Sequence, residues 1–589
     1  MGEETAPPAA FRPVFEVLLR LARGFKGQFA LVSIYAFLST GADLLQPLVY
    51  RMAINDIVGG TSKQPEKALE SLLGAVGMLF VLSVTGYFFW LRSDYRAAYV
   101  ASRMEAALIQ STFGHVLRLP LSFFTHQPSA GLAKRIDQSD QLSPLVHAFS
   151  QQIAPEAIRL VGITAIMFSQ SWKMAAVAMC LLPLYILIAR KSALRLQTGL
   201  TPYYEMWENI SSRITDALGA IKTVKLSGAE DRESECLRLE STDAYDIYLH
   251  RIRTAQRYYF AQSFLSHLSK ALLLSYGGWQ VLTGQLTPGD VIMFVAYLDR
   301  LYSPIDSLNS IVIGLQQNIA SLDRAVRLLE TGPLEPKGDD LVPGPGKVEF
   351  SAVHFGYTSD REVLKGLELT LEPGKITALA GPSGAGKTTT VDLLMKLWDP
   401  SSGEVWIDGQ PLSKLDPAAV RRAIGVVATD GAVFRGSLAE NIRYKRPDAT
   451  DAEVTAAALA AGLGRALDRL PQGIATEIGE RGIGLSMGER QRLQIARILV
   501  DRPRLLILDE ATANLDFATE LEVKKALSEL SPKPTMLVIA HRYSMLQEAD
   551  YVYILNEGRV EEQGTPEHLL STGGWFAQMA AQSSGGTPE

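Results

Sequence analysis

The stretch Gly381-Pro382-Ser383-Gly384-Ala385-Gly386-Lys387-Thr388 (GPSGAGKT) decides the fold of the C-terminal part of the chain. It follows an apolar run, Ile376 to Ala380, and precedes a helical run, Thr389 to Leu397. A glycine-rich turn between a strand and a helix lets backbone N–H groups converge on phosphate oxygens, and the helix N-terminus adds partial positive charge. The pattern G-x-x-x-x-G-K-[ST] in this context therefore predicts a phosphate-binding loop, Gly381 to Thr388, in an α/β domain. Thr389, next to it, is a further predicted nucleotide-binding residue.

Two side chains of this loop and two carboxylates further on predict a nucleotide and a metal ion. Lys387 can reach the β- and γ-phosphates of ATP, and the Thr388 hydroxyl can bind Mg²⁺. The apolar run Leu505 to Leu508 is typical of a buried parallel strand, and it ends in Asp509 and Glu510. Asp509 is placed to hold Mg²⁺, directly or through water, and Glu510 to polarise an attacking water. ATP and Mg²⁺ are the predicted cofactors.

The N-terminal half has the composition of a membrane domain. The 589 residues are 47% apolar and 20% charged, which is the average of two unlike halves. A membrane-spanning helix needs about 20 mostly apolar residues, and Ser71 to Leu91 supplies them without a single charge. The six predicted spans are 29–50, 71–91, 158–170, 171–189, 266–281 and 291–311.

The loops between the predicted spans indicate the orientation. Residues 92–142 and 190–255 are long, rich in Lys and Arg, and helical in their periodicity. The positive-inside rule places them, and both termini, in the cytoplasm of a multi-pass protein of the cell membrane. Helical elbows deep in the cytoplasm are predicted near 119–137 and 212–225. The acidic, proline-bearing N-terminus does not resemble a secretory signal.

Several charges fall at predicted membrane depth and have two interpretations. Charges at this depth cost several kcal/mol unless they face water or a partner. They could neutralise one another, since Glu156 and Arg159 lie three residues apart on one helix face. Alternatively they line a polar cavity, in which Arg159 and Lys270 would bind an anionic group of the cargo. The charges concerned are Asp43, Glu156, Arg159, Lys270, Asp299 and Arg300.

Composition also predicts where the domains begin and end. Residues 331–347, TGPLEPKGDDLVPGPGK, are rich in Pro and Gly and lack periodicity, as in a linker. The predicted division is a tail (1–12), a membrane domain (13–330), a linker (331–347), an ATPase domain (348–580) and a second tail (581–589). The net charge of −6 gives no reason to expect nucleic acid. Two distant cysteines argue against a disulfide framework or a zinc site.

A second motif narrows the class of nucleotide-binding protein. The run Leu485-Ser486-Met487-Gly488-Glu489 (LSMGE) resembles the signature sequence LSGGQ of the ATP-binding cassette (ABC) family, at the family's spacing from Asp509-Glu510. The stretches 119–135 and 219–230 resemble the two cytoplasmic elbows of six-helix ABC exporters. The resemblance covers residues 20 to 580. It implies a type IV half-transporter, with an all-α six-helix membrane domain followed by an α/β ATPase domain.

The resemblance implies roles for further residues. Tyr357 would stack on adenine, and His541 would contact the γ-phosphate beside the catalytic base Glu510. Ser486, Gly488 and Glu489 would contact the ATP that a second chain binds. The segment Glu480-Arg481-Gly482 matches the element that touches the membrane helices, and Asn514-Leu515-Asp516 matches the loop that crosses the dimer interface.

The chain departs from the family at two places. Thr429 stands where a glutamine normally reaches Mg²⁺ and the attacking water, and threonine is shorter by about two heavy atoms, so a bridging water would have to substitute. Slower hydrolysis or altered coupling is expected. Met487 and Glu489 replace a glycine and a glutamine of the signature, and a side chain at 487 is predicted to narrow the approach to the nucleotide.

The resemblance implies a dimeric transporter that uses ATP hydrolysis and alternating access to export or flip an amphipathic substrate. The partner would be a second copy or, alternatively, a different half-transporter that this chain supports catalytically. An ATP-gated channel or regulator is a further alternative. The cargo could be a small molecule, a lipid or a peptide, since the fold does not decide among them.

Overall fold

The chain folds into two compact units. The structure, a computed structural model, describes residues 11–60, 65–125, 127, 129–198, 201–358, 360–427, 432–479, 484–509, 523, 525–527, 530, 532–540 and 542–584. The first unit comprises the described residues of 1–117 and 129–331. The second comprises those of 118–128 and 332–589.

The first unit is built from helices, and the short helix α4 that interrupts its sequence belongs to the second unit. A π-helical segment, Ala148–Ile153, leads from α6 into α7. The helices up to residue 330 are α1 (Phe11–Ala22), α2 (Lys26–Gly60), α3 (Pro65–Val116), α4 (Leu121–Thr125), α5 (Ser129–Asp137), α6 (Leu142–His147), α7 (Ala154–Gln170), α8 (Trp172–Met179), α9 (Leu182–Thr198), α10 (Thr201–Gly219), α11 (Ile221–Leu226), α12 (Glu230–Leu282) and α13 (Pro288–Glu330).

Local sequence explains where the long helices begin. Thr287 caps α13, because its side chain accepts a hydrogen bond from the Asp290 backbone while the Asp290 carboxylate accepts one from the Thr287 backbone. Pro288 at the first helical position lacks the N–H that such a position leaves unpaired. The helices α3 and α12 have 52 and 53 residues. At 1.5 Å per residue each is roughly 78 Å long, far more than a bilayer needs.

Five of the predicted spans each lie on one helix of this unit, whereas the span 171–189 is divided between α8 and α9, which Cys180 and Leu181 separate. The helices also differ in hydropathy. Among the described residues, three stretches are long and apolar enough to cross a membrane: Glu16–Val58, Leu69–Val116 and Trp172–Leu196. The other predicted spans lie on α7, α12 and α13, which carry Arg159, Lys270 and Asp299, respectively. Charge lowers the hydropathy of these helices, so the number of spans stays a prediction.

The second unit contains two main sheets. One has the strand order β2-β1-β4-β5 and the other β12-β11-β3-β10-β9-β6, while β7 pairs with β8. In the six-stranded sheet β11, β3, β10, β9 and β6 are parallel and β12 is antiparallel. The strands are β1 (Val348–Phe355), β2 (Leu364–Leu371), β3 (Ile376–Ala380), β4 (Ser402–Ile407), β5 (Gln410–Pro411), β6 (Ile424–Val427), β7 (Gly436–Ser437), β8 (Glu477–Ile478), β9 (Leu505–Asp509), β10 (Thr535–Ile539), β11 (Tyr551–Asn556) and β12 (Arg559–Gly564).

The parallel strands are buried on both faces. Along β9, Leu505 and Ile507 belong to one hydrophobic cluster, whereas Leu506 and Leu508 belong to another. Such alternation is expected for a parallel strand that is buried on both faces. The helices of this unit continue with α14 (Lys387–Leu394), α15 (Pro417–Ala423), α16 (Leu438–Ile442), α17 (Asp451–Ala460), α18 (Gly464–Arg469) and α19 (Met487–Asp501), and then Tyr543–Leu546, Pro566–Thr572 and Trp575–Ser584.

Residues 332–347 of the predicted linker (331–347) belong to the second unit and are hydrogen-bonded within it. Glu335 accepts two bonds, of 2.9 and 2.7 Å, from the Arg421 guanidinium. Asp339 bridges to the loop at Leu415. Further along, the Asp408 carboxylate accepts bonds of 2.8 Å from the backbone N–H groups of two linker residues, Gly346 and Lys347. The segment has the composition of a linker, but its hydrogen bonds hold it in a defined position within the second unit.

A buried lysine stabilises the loop that follows β5. The Lys396 ammonium donates to three backbone carbonyls, those of Leu412 (2.8 Å), Ser413 (3.2 Å) and Leu415 (2.6 Å). Burial lowers the pKa of Lys396, and the loop carbonyls provide the polar partners that a buried ammonium requires.

We expect Lys396→Met to destabilise the second unit by about 2–3 kcal/mol, because the three ammonium bonds to loop carbonyls are lost, although the Leu412 carbonyl still accepts the Leu415 N–H at 3.2 Å. The midpoint of thermal unfolding of the purified protein measures this loss. Lys414→Met is the matched control, since Lys414 lies in the same loop with an exposed side chain. Equal midpoints for the two variants would contradict the role given to Lys396.

Candidate nucleotide-binding site

The loop between β3 and α14 has the backbone conformation that phosphate binding requires. Gly381, Gly384 and Gly386 have φ values of +142°, +80° and +108°, in the region that favours glycine. A Cβ atom on Gly381 would lie 2.0 Å from the carbonyl oxygen of Leu555. The close approach of β11 to the loop thus excludes any side chain at residue 381.

Lys387, near the end of this loop, is the first residue of α14. Its side chain is buried, and its ammonium donates to the carbonyl oxygens of Gly381 and Pro382, both at 2.9 Å. These bonds hold the cation inside the curve of the loop, where phosphate oxygens would become its alternative partners. Thr390, one turn into α14, donates to the Gly386 carbonyl at 3.0 Å and fixes the start of the helix.

The sheet brings Asp509 to the same edge as the loop. β9 and β3 both pair in parallel with β10, so the carboxyl ends of the three strands lie together. A cavity of about 580 Å³ opens there. It is lined by Tyr357, Thr358, Arg361, Val363, Ser383, Gly384, Gly386, Lys387, Thr388, Thr389, Asp509 and Ile539.

The donor set of this cavity is suited to Mg²⁺ beside a nucleotide. The Thr388 hydroxyl and the Asp509 carboxylate are hard oxygen donors, which Mg²⁺ prefers, and phosphates normally complete its coordination. Among the described residues, no cluster of three His, Cys, Asp or Glu side chains could hold a metal by itself. The cavity therefore resembles a site in which metal and nucleotide bind together.

Tyr357 lines the same cavity and belongs to a cluster of aromatic rings. Its ring centroid is 5.0 Å from that of Phe355 and 5.2 Å from that of Trp398, both edge-on. The Tyr357 hydroxyl donates to Asp392 at 2.7 Å and lies 3.2 Å from the Thr389 hydroxyl. Burial, together with Asp392, raises the pKa of Tyr357 to about 12, so the hydroxyl stays protonated. These contacts fix the ring plane.

The signature segment begins helix α19. Ser486 is the N-cap, and its hydroxyl accepts a bond of 3.2 Å from the Glu489 backbone N–H. The Glu489 carboxylate in turn accepts 2.7 Å from the Ser486 N–H and 3.1 Å from Arg469. Gly488 lies in the same first turn, and the Met487 side chain is exposed.

The remaining predicted site residues fall outside the described part of the chain. These are Thr429, Glu510 and His541, together with the segments Glu480-Arg481-Gly482 and Asn514-Leu515-Asp516. Their assignments stay predictions from the sequence.

The charges predicted at membrane depth are paired in the first unit. Arg159 donates to both carboxylate oxygens of Glu156 at 2.9 Å and lies 3.5 Å from Asp43. Arg300 bonds the Asp43 backbone carbonyl and lies 3.7 Å from its carboxylate. Lys270 pairs with Asp299. The contacts favour mutual neutralisation, and anion binding by Arg159 and Lys270 stays a prediction.

Sequence reasoning missed three residues around the ATPase site. Arg361 lines the cavity, Asp392 holds the Tyr357 hydroxyl, and Arg469 pairs with Glu489. Asp392 could have been found from the sequence, because it lies four residues after Thr388 and residues four apart share a helix face. Arg469 gave no local signal, since its partner lies 20 residues away on another helix.

Two family profiles match the sequence, one in each half. The profile for the ABC transporter transmembrane region matches residues 29–305, and the ABC transporter profile matches residues 364–513. The chain is also similar to a solved structure, that of a bacterial Atm1-family ABC exporter with ATP bound. The TM-score is 0.82 at 29% identity, with 96% of this chain and 99% of that chain covered.

Curated relatives resemble the chain over most of its length. A fatty acid ABC transporter ATP-binding/permease protein of Mycobacterium bovis is 33% identical, covering 79% of this chain and 74% of the relative. An ATM1-type heavy metal exporter of Novosphingobium aromaticivorans is 31% identical, covering 94% and 91%. An ATP-dependent lipid A-core flippase of Syntrophus aciditrophicus is 28% identical, covering 96% and 94%.

Proposed function

Because the chain belongs to the ABC transporter family, as a type IV half-transporter with membrane and ATPase domains in one polypeptide, we propose that it exports an amphipathic molecule as a homodimer. The chain is a membrane protein that couples ATP hydrolysis to transport. The main support for the proposal is that one cavity is lined by Lys387, Thr388 and Asp509 together.

Within the proposed site, each residue has one task. Backbone N–H groups of the loop and Lys387 bind the phosphates, and Tyr357 stacks on the adenine. Thr388 and Asp509 would hold Mg²⁺, which neutralises phosphate charge when bound. Glu510 takes the proton of the attacking water, and His541 contacts the γ-phosphate. Thr429 reaches this water through a second water.

Closure of the site requires a second chain. A nucleotide bound to the phosphate loop of one chain has one side open to water. The partner's signature would cover that side through Ser486 and Gly488, while the Glu489 carboxylate stays in the capping box. ATP can drive the cycle only if it binds the closed dimer more tightly than the open one. Hydrolysis then resets the dimer, with both termini in the cytoplasm and the membrane domains alternating between inward and outward access.

The proposed cargo is amphipathic or lipid-like. Two of the relatives are named for a fatty acid and for lipid A-core, and a third for heavy metal. The paired charges at membrane depth provide polar contacts without a net charge, because Asp43 and Glu156 offset Arg159 and Arg300. A molecule with one polar and one apolar end suits such a helix surface.

We expect the purified protein, alone in sealed inverted vesicles, to accumulate a fluorescent fatty acid or lipid analogue when ATP and Mg²⁺ are supplied. Glu510→Gln should bind ATP without accumulation, so it is the matched control. ATP hydrolysis without accumulation of any probe would favour a gated channel or regulator over an exporter.

A heterodimeric exporter is the second candidate, because Met487 departs from the glycine of the signature and its side chain is exposed. A weakened signature would impair only the site on the partner chain. Co-purification of a different half-transporter from native membranes, with no ATP hydrolysis by the chain alone, would support this candidate and overturn the homodimer.

A further inference from the structure

The signature of this chain carries a negative charge that has to be compensated. Glu489 occupies the third position of α19, and only 7% of its surface is exposed. Its carboxylate accepts the Ser486 N–H at 2.7 Å, which completes a capping box. A buried carboxylate near a helix start is stabilised by the helix dipole, but it repels a phosphate that approaches the same helix end.

Arg469 supplies the compensating charge from a neighbouring helix. One guanidinium nitrogen lies 3.1 Å from each Glu489 carboxylate oxygen and 3.4 Å from the Gly484 carbonyl just before the signature. Burial alone would raise the pKa of Glu489, but the Ser486 N–H and Arg469 hold that pKa below its ordinary value. The carboxylate is therefore ionised, and Arg469 is the basic side chain bonded to it.

Resting on the proposed function, in which α19 of one chain faces the nucleotide of the other, we propose that Arg469 is a positioning residue for ATP closure. It neutralises Glu489 and holds it in the capping box. The Ser486 hydroxyl accepts the Glu489 N–H, so its own hydrogen can donate to an incoming phosphate oxygen. A phosphate can then approach the start of α19 without facing an uncompensated carboxylate.

The proposal predicts a charge effect that disappears when Glu489 is neutral. Arg469→Ala should raise the ATP concentration for half-maximal hydrolysis about tenfold, equivalent to about 1.4 kcal/mol, with a much smaller effect on kcat. The rise should shrink at high ionic strength, because salt screens the repulsion between the uncompensated Glu489 carboxylate and the phosphate. In a Glu489→Gln background the same substitution should change the half-maximal concentration less than about twofold.

The test measures ATP hydrolysis by the full-length protein in lipid vesicles as a function of ATP, at low and high salt. The variants are Arg469→Ala, Glu489→Gln and the double variant. Arg465→Ala is the control, because Arg465 lies on the same helix with an exposed side chain. Arg469→Gln, which keeps a polar side chain without the charge, repeats the test if Arg469→Ala does not fold.

Two outcomes would overturn the proposal. One is an equal rise in the half-maximal ATP concentration whether Arg469→Ala is made in the wild-type protein or in the Glu489→Gln background, which would make Arg469 structural. The other is no rise at all when Arg469 alone is replaced. These two outcomes can be distinguished from failure of the proposed function, in which the wild-type protein itself would hydrolyse no ATP. Such a failure would overturn the proposed function and, with it, the proposal for Arg469.

Discussion

Lys387→Ala is expected to weaken ATP binding by about 100-fold. The variant loses one or two charge-assisted hydrogen bonds to phosphate, each worth about 1.5–3 kcal/mol. It also loses the two 2.9 Å bonds from the ammonium to the carbonyls of Gly381 and Pro382, so the loop is held less firmly. Equilibrium binding of labelled ATP to the purified protein measures the change.

Lys533→Ala provides the control for this experiment, because Lys533 belongs to the same unit and its side chain is exposed. Its affinity for ATP should equal that of the wild type. If Lys387→Ala bound ATP as tightly as Lys533→Ala, the assignment of Gly381 to Thr388 as the phosphate loop would be wrong.

Glu510→Gln is expected to leave ATP binding nearly unchanged and to slow hydrolysis by about 10²–10⁴-fold, the usual contribution of a general base. Glutamine has the shape of glutamate but cannot take the proton of the attacking water. Release of phosphate at saturating ATP measures the rate, and labelled ATP retained by the protein measures binding.

The matched control is Glu561→Gln, which makes the same chemical change at an exposed position on the edge strand β12. It should hydrolyse ATP at the wild-type rate. Turnover near wild type in Glu510→Gln would remove Glu510 from the role of base and point to another proton acceptor.

Local patterns made the fold class and the phosphate loop predictable. The loop requires glycines at fixed spacing after an apolar strand, and the structure places Gly381, Gly384 and Gly386 at positive φ between β3 and α14. Asp509 was predictable because it ends an apolar run, and parallel pairing brings the ends of such runs together. The prediction of the family is confirmed by the two matched profiles.

Contacts between distant segments were not predictable from the pattern. Arg469 and Glu489 lie on different helices, and their pairing depends on how α18 packs beside the start of α19. The partners of Arg159 and Lys270 depend likewise on which helix faces meet, so the sequence left neutralisation and anion binding open. Composition predicted a linker at residues 331–347, but it could not predict the hydrogen bonds that this segment forms.

Residues 335–347, which precede β1 and are hydrogen-bonded to the ATPase domain, have to be included when that domain is prepared alone. A fragment beginning at Val348 would lack Glu335, the carboxylate partner of the half-buried Arg421, and both amides that bind Asp408. It would also lose the backbone bridge between Asp339 and Leu415. An excised domain for crystallography or spectroscopy should therefore start before Glu335, so that Arg421 and Asp408 keep their partners.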